Sequence, residues 1–255
     1  MRKRLLEAYM GGVALTSLGG IQITNISYTP AQMEVVTTPM ALMRGERVLK
    51  INRKQAMVSI EFVMPGISPV KRQEKLNAVI EWTKTGPLSV SDRPWQRLNC
   101  ICTTPPRFAS AISRTERLTI GFTAYGNPFW EDENPTVASL SGLNGSGSLY
   151  VPGTAEENYV EIQAAPASGT LNELTLTVGE NTIVLSGLGA TSSNPLTITY
   201  ENGLQKIKVG NVSVLDKRTP ASADNLIARI GAYNDISFTA DVLTTVQFSA
   251  RGLWL

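Results

Sequence analysis

Apolar and polar residues alternate with a period of two along much of the chain. Leu118, Ile120, Phe122 and Ala124 are separated by Thr119, Gly121 and Thr123. That spacing predicts a half-buried strand. The same alternation recurs at Val58, Ile60, Phe62 and Met64, which stops at Pro65-Gly66. Ile21 and Ile23, and then Met33, Val35 and Thr37, read as weaker strands, with a charged turn at Arg44-Gly45-Glu46-Arg47. Leu98, Cys100 and Cys102 are expected to share one strand face. One stretch breaks the pattern. Residues 69–84 place Leu76, Val79, Ile80 and Thr83 at helical spacing, with Ser68 as N-cap, Pro69 in the first turn and Gly86-Pro87 as the stop. Lys71, Arg72, Glu74, Lys75 and Glu81 are read as its solvated faces. A lone amphipathic helix among strands is expected to cover one face of a sheet.

The strand at 118–124 ends at Gly126-Asn127-Pro128, where Pro128 has no N–H to offer a ladder and its neighbours favour a turn. Phe129 and Trp130 follow, then Glu131, Asp132 and Glu133. By chemistry alone this is a strand end with an aromatic plug, and also a domain boundary. Composition changes beyond it. Pro135 to Gly147 is rich in Ser, Gly and Asn and reads as a linker or exposed loop. Short Thr- and Val-rich strands follow, as at Leu174, Leu176 and Val178, then a turn at Gly179-Glu180-Asn181, then Ile183 and Leu185; this rhythm predicts a β-sandwich.

Two dipeptides fix a local register. With Asn202-Gly203 as a hairpin loop, Glu201 opposes Leu204, Ile198 faces Ile207 and Leu196 faces Val209. With Gly210-Asn211 as a second loop, Val209 opposes Val212 and Ile207 opposes Val214. Leu196, Ile198, Ile207, Val209, Val212 and Val214 then share a predicted core face, because a slip of one residue would move them all to the other side. Ile236, Phe238 and Ala240, and then Val246, Phe248 and Ala250, read as two further strands before the apolar ending Leu253-Trp254-Leu255.

Composition narrows the chemistry. The 255 residues carry a net charge of +2 and are 42% hydrophobic and 17% charged, as in a folded chain with no dominant basic face. No histidine is present, so Ser-His-Asp and Cys-His catalysis and His-ligated zinc are ruled out. Cys100 and Cys102 read as small core residues of a reducing compartment. Arg2, Lys3 and Arg4 imitate a signal peptide, but Glu7 and Gly11-Gly12 interrupt the apolar stretch that should follow. No run reaches the ~20 apolar residues of a membrane span, so no membrane insertion is expected. Glu131, Asp132 and Glu133, like Glu156-Glu157, are expected to be solvated carboxylates. The GLNGSG run at 142–147 lacks the Gly-Lys-Ser/Thr ending of a phosphate loop and reads as a loop. Trp82, Trp95 and Trp254 read as core or subunit contacts in preference to sugar platforms. No catalytic residue, metal ligand or cofactor site is expected, and the chain is not read as an enzyme.

The run AYGNPFW, with Asn127, Pro128, Phe129 and Trp130 as its boundary motif, resembles the segment that closes the first domain of distal tail proteins of long-tailed bacteriophages. Many members have Asp where this chain has Asn127. The order of a β-rich half with one helix, the boundary, then a sandwich half is similar too, as is the ending from Arg251 to Leu255. The resemblance implies a mainly β chain. A ring-forming belt domain would span 1–132 and a galectin-like β-sandwich 133–255, with the last strand packing on either. It implies a homo-hexameric ring at the distal end of the tail, between the tail tube protein and the tail-tip hub protein. Receptor-binding proteins are further partners, and DNA crosses the lumen without specific binding. It implies a virion component assembled in the bacterial cytoplasm. Two other readings stay open: a carbohydrate-binding sandwich module, and a tail-tube or accessory structural subunit.

Overall fold

The structure is a computed structural model that describes residues 5–39, 46–65, 68–107, 117–201 and 203–255. Arg2, Lys3 and Arg4, the Arg44-Gly45 part of the charged turn, Gly66 and Asn202 lie outside the described residues. The chain is mainly β, with a single α-helix, Pro69–Trp82, among the described residues. It divides into two compact units, one reaching Glu131 and including Leu255, the other Asp132–Trp254.

In the first unit a four-stranded antiparallel sheet runs in the order Gln22–Thr29, Met57–Val63, Leu118–Ala124, Cys100–Thr104. Its register sets Leu118 beside Phe62, Ile120 beside Ile60 and Phe122 beside Val58. All six side chains are buried, so the period of two in each strand becomes one continuous apolar face. The helix belongs to the same core. Leu76, Val79 and Trp82 are buried, and the Trp82 ring meets Phe122 edge-on at 6.2 Å. The indole N–H of Trp82 donates to Val13 O at 2.7 Å, which satisfies the polar end of an otherwise apolar ring. A second sheet joins Val13–Ala14, Ala8–Met10, Leu88–Val90 and Arg93–Leu98 in that order. Met33–Pro39 and Glu46–Arg53 form a separate two-stranded ladder.

Five expectations need correction here. Arg72 is buried, not solvated, because positions 72, 76, 79 and 83 fall on one helical stripe whatever their chemistry. Ile80 is only half-buried. Ser68 sits at the N-cap position, but its side chain makes no capping hydrogen bond. Leu98 and Cys100 do not share a strand: the chain breaks at Asn99, and the two residues enter different sheets. Cys100 and Cys102 are free thiols and half-buried, not fully in the core.

The second unit is built on two long strands. Thr136–Val151 pairs along its length with Ala232–Ala250. The stretch read as a linker is therefore a strand, and the two strands expected near the C-terminus are one. Small residues gave the false impression. A Cβ at Gly145 would lie 2.8 Å from the Phe238 ring and 3.3 Å from Leu140 Cβ, so glycine there makes room for an aromatic side chain across the ladder. The register breaks where Gly142 faces Thr244 but Asn144 faces Thr239. On either side of that break the long strand changes partner. Ile236 to Ala240 pair with Leu171–Val178, and Thr244 to Ser249 pair with Glu161–Pro166. A strand that bends and changes neighbours turns a sheet's corner. The two halves enclose one core, in which Leu174, Leu176 and Ile183 lie with Ile162, Leu196 and Phe248.

The meander beyond Pro195 has the register its turns dictate: Leu196 with Val209, Ile198 with Ile207, Glu201 with Leu204, and Val209 with Val212. Leu196, Ile198, Ile207 and Val214 are buried and Val209 is half-buried. Val212 is 68% exposed. Its strand is only Val212–Ser213, after which Leu215–Lys217 turns as a 3-10 helix. Parity assigns a side chain to a face of the sheet, but the core ends before Val212 reaches it.

Candidate functional site

The boundary motif builds a side-chain cluster in the first unit, and Asp132, just beyond it, builds another in the second. In the first unit Asn127 makes a local turn. Its side-chain oxygen accepts from Phe129 N at 3.2 Å, and its amide donates to Glu131 Oε1 at 3.0 Å. An Asx turn of this kind needs a short side chain with an acceptor, which Asn supplies. Asn99 also donates to Glu131, at 3.4 Å, and Arg97 Nε lies 3.9 Å away. Glu131 is thus mostly enclosed and partnered, contrary to the solvated carboxylate expected from its acidic neighbours. Trp130 is buried and meets Tyr28 edge-on at 5.9 Å. The Arg93 guanidinium covers both rings, 5.0 Å from the Tyr28 centroid and 5.2 Å from that of Trp130. Arg53 covers Phe129 at 5.1 Å. The Tyr28 hydroxyl donates to Asp92 Oδ1 at 2.5 Å. Burial, and then Asp92, push its pKa up, so it is a neutral donor across the physiological range. The arrangement is a planar-cation stack that closes a core.

In the second unit Asp132 is held by the chain's last residues. Trp254 Nε1 donates to Asp132 Oδ1 at 2.7 Å, and Asp132 N donates to Gly252 O at 2.9 Å. Arg251 Nη1 donates to Asp132 O at 2.9 Å and also to Glu133 O. Leu253 O accepts from Thr154 N at 2.9 Å and Ala155 N at 3.1 Å. At Gly252 a Cβ would fall 2.7 Å from Pro152 O, so the close approach requires glycine. Sequence reasoning placed Asn127, Pro128, Phe129 and Trp130 at a boundary. It missed Tyr28 and Arg93 as partners of Trp130, and the pairing of Asp132 with Arg251 and Trp254, because pairs so far apart in sequence leave no periodic signal. Trp82 is buried, Trp254 is half-buried, and Trp95 is 74% exposed and so not a core residue.

Neither cluster poses an acid against a base, and among the described residues no group of three or more Cys, Asp or Glu could hold a metal. No helix among the described residues is long and apolar enough to cross a membrane.

A mainly β chain in two units, the first carrying one helix and the second a folded-over sheet, is the class this architecture defines. No protein-family model matches the sequence, and no curated protein matches it significantly. Solved structures do. The chain is similar to the Dit protein of phage SPP1, described as a paradigm of the hub adsorption apparatus in phages infecting Gram-positive bacteria. The match covers 97% of this chain and 99% of that one, with a TM-score of 0.70 at 11% identity. It is also similar to a chain of the phage P2 baseplate in its activated conformation with calcium, over 96% and 97% of the two chains, with a TM-score of 0.52 at 7% identity. The strontium form of that baseplate gives the same values. At such identities the likeness shows a shared fold.

Proposed function

We propose that the protein is a structural subunit at the tip of a long phage tail, a hexameric ring that joins the tail tube to the adsorption apparatus and leaves a channel for DNA. The observation that carries this reading is the end-to-end likeness to the SPP1 Dit protein, over 97% of this chain and 99% of that one. Two features of the first unit support it. Its four-stranded sheet is open at both edges, Gln22–Thr29 and Cys100–Thr104, among the described residues. Joining unlike edges of neighbouring copies is a heterologous contact, the kind that closes rings. The sheet face away from the helix carries Asn25, Ser27, Ser59, Thr103, Thr119 and Thr123, with Glu61 as the charged residue of its central strands. A lumen of that chemistry offers phosphates little electrostatic hold. In this reading the second unit is a galectin-like sandwich facing outward, and the tail tube, hub and receptor-binding proteins are its neighbours.

Native mass and negative-stain images of the purified chain test it. Six-fold rings with a central hole are the expected result. A chain that stays monomeric both alone and with tail tubes overturns the reading. The carbohydrate-module alternative draws on one observation, the exposed Tyr150–Tyr233 pair with ring centroids 5.1 Å apart. Glycan binding lost in Tyr233→Ala, by a chain that forms no rings, would favour it.

A further inference from the structure

The long strands Thr136–Val151 and Ala232–Ala250 bring two tyrosines together on the outer face of the second unit. Tyr150 pairs with Tyr233 in the ladder, and Ser148 pairs with Asp235. Leu149, Val151, Asn234 and Ile236 are buried, so the alternation sends Ser148, Tyr150, Tyr233 and Asp235 outward together. The two rings have centroids 5.1 Å apart and are tilted by 47°. Tyr159 and Tyr200, by contrast, stack at 11° and cover each other's faces. Tyr233 is 76% exposed. Exposed aromatics scattered singly are ordinary, but these two stand in register beside a carboxylate. Asp235 is exposed, and its side chain has no hydrogen-bond or ion-pair partner among the described residues.

Charge singles out the kind of guest. Thr136–Val151, Leu171–Val178, Asn181–Ala190 and Ala232–Ala250 are joined in one sheet. Together they contain no Lys or Arg, but they contain Glu173, Asp235 and Asp241. Residues 132–254 as a whole hold six Lys and Arg against twelve Asp and Glu, a charge of −6 within a chain of net +2. The near-neutral total therefore hides an acidic second unit. Arg229, the basic residue nearest to Tyr233 in sequence, stands opposite Glu157 in a separate ladder. Guanidinium groups cover Tyr28, Phe129 and Trp130 in the first unit, whereas no cation of the described residues lies over Tyr150 or Tyr233.

We propose that Tyr150, Tyr233 and Asp235 form a site for an organic cation, a substituted ammonium group held against the tyrosine rings and balanced by the carboxylate. A saccharide stacked on the rings would leave the Asp235 charge unanswered, and a phosphate would be repelled by it. The inference goes beyond the ring and does not depend on it, since all three residues belong to one chain.

NMR of the full chain, isotope-labelled in its tyrosine rings, tests the proposal with choline as the probe. Tyr150→Phe and Tyr233→Phe assign the two signals. Choline should shift both saturably. The neutral alcohol of the same shape, dimethylbutanol, should bind about tenfold more weakly, because it lacks the charge. Asp235→Asn should weaken choline binding about threefold or more while leaving the melting temperature in place. Tyr233→Leu should weaken it at least as much. Where Tyr233→Leu also lowers the melting temperature by losing the cross-strand contact, Asp235→Asn decides. Nα-acetyllysine methylamide distinguishes the sources of the cation. Saturation at lower concentration than choline assigns the site to a lysine side chain of a partner protein, and the reverse order to a quaternary head group. The proposal is overturned if choline moves neither signal at about 0.1 M, if dimethylbutanol binds as well, or if Asp235→Asn changes nothing. It is likewise overturned if N-acetylglucosamine shifts the signals and choline does not.

Discussion

Asn234 shows how much one residue can hold. It is buried, its amide donates to Arg229 O at 2.9 Å and to Ala232 O at 3.2 Å, and its oxygen accepts from Arg229 N at 2.7 Å. These bonds tie the turn at Ile230-Gly231 to the start of the long strand. Asn234→Leu keeps the branching and number of side-chain heavy atoms but leaves the Arg229 amide without its acceptor. A loss of roughly 2–3 kcal/mol is expected in urea denaturation. The Cys100 thiol gives a pH signature. Burial pushes its pKa up from 9.0 to about 12. The unfolded thiol ionises first as pH rises, so this contribution to stability is complete below pH 9.0 and is lost on the way to about 12. Cys100→Ala should flatten that alkaline fall in a melting-temperature series, and native Cys100 should alkylate slowly at neutral pH. A Cys100 that alkylates as fast as a free thiol would contradict the burial argument.

The strand Thr136–Val151 is the lesson at the scale of elements. Its composition is that of a loop, yet Gly145 has a geometric task. Gly145 lies beneath Phe238, whereas Ser146 is exposed. Gly145→Val should therefore cost about 1–3 kcal/mol in equilibrium denaturation through overpacking, and Ser146→Val should stay within about 0.5 kcal/mol. Equal effects at the two sites would mean that the Phe238 contact does not hold the ladder. The helix carries a parallel message. Its buried stripe includes Arg72, which an apolar count passes over.

At the scale of the whole molecule, the proposed ring would join sheet edges of neighbouring copies. Ile101 stands 54% exposed on the edge strand Cys100–Thr104. Ile101→Lys should abolish ring formation in native mass measurements while shifting the melting temperature little, because a charge on a free edge opposes pairing without touching the core. Rings that persist in this variant would move the subunit contact away from that edge.

The sequence by itself determined whatever depends on near neighbours. The strands at 57–63 and 118–124, the helix from Pro69, and the meander register all follow from spacing of two or 3.6 and from turn chemistry at Gly203 and Gly210. The Asn127-Pro128 stop was legible for the same reason. Only the tertiary structure decided which faces are covered. Val212 has the right parity and lies beyond the core, Trp95 is aromatic and exposed, and Glu131 is acidic and enclosed. It also decided the pairings of Trp130 with Tyr28 and Arg93, and of Asp132 with Arg251 and Trp254. Those contacts join positions far apart in the chain, and burial is a property of everything packed around a side chain. Neither leaves a local periodic trace, so both emerge only when the strands are assembled.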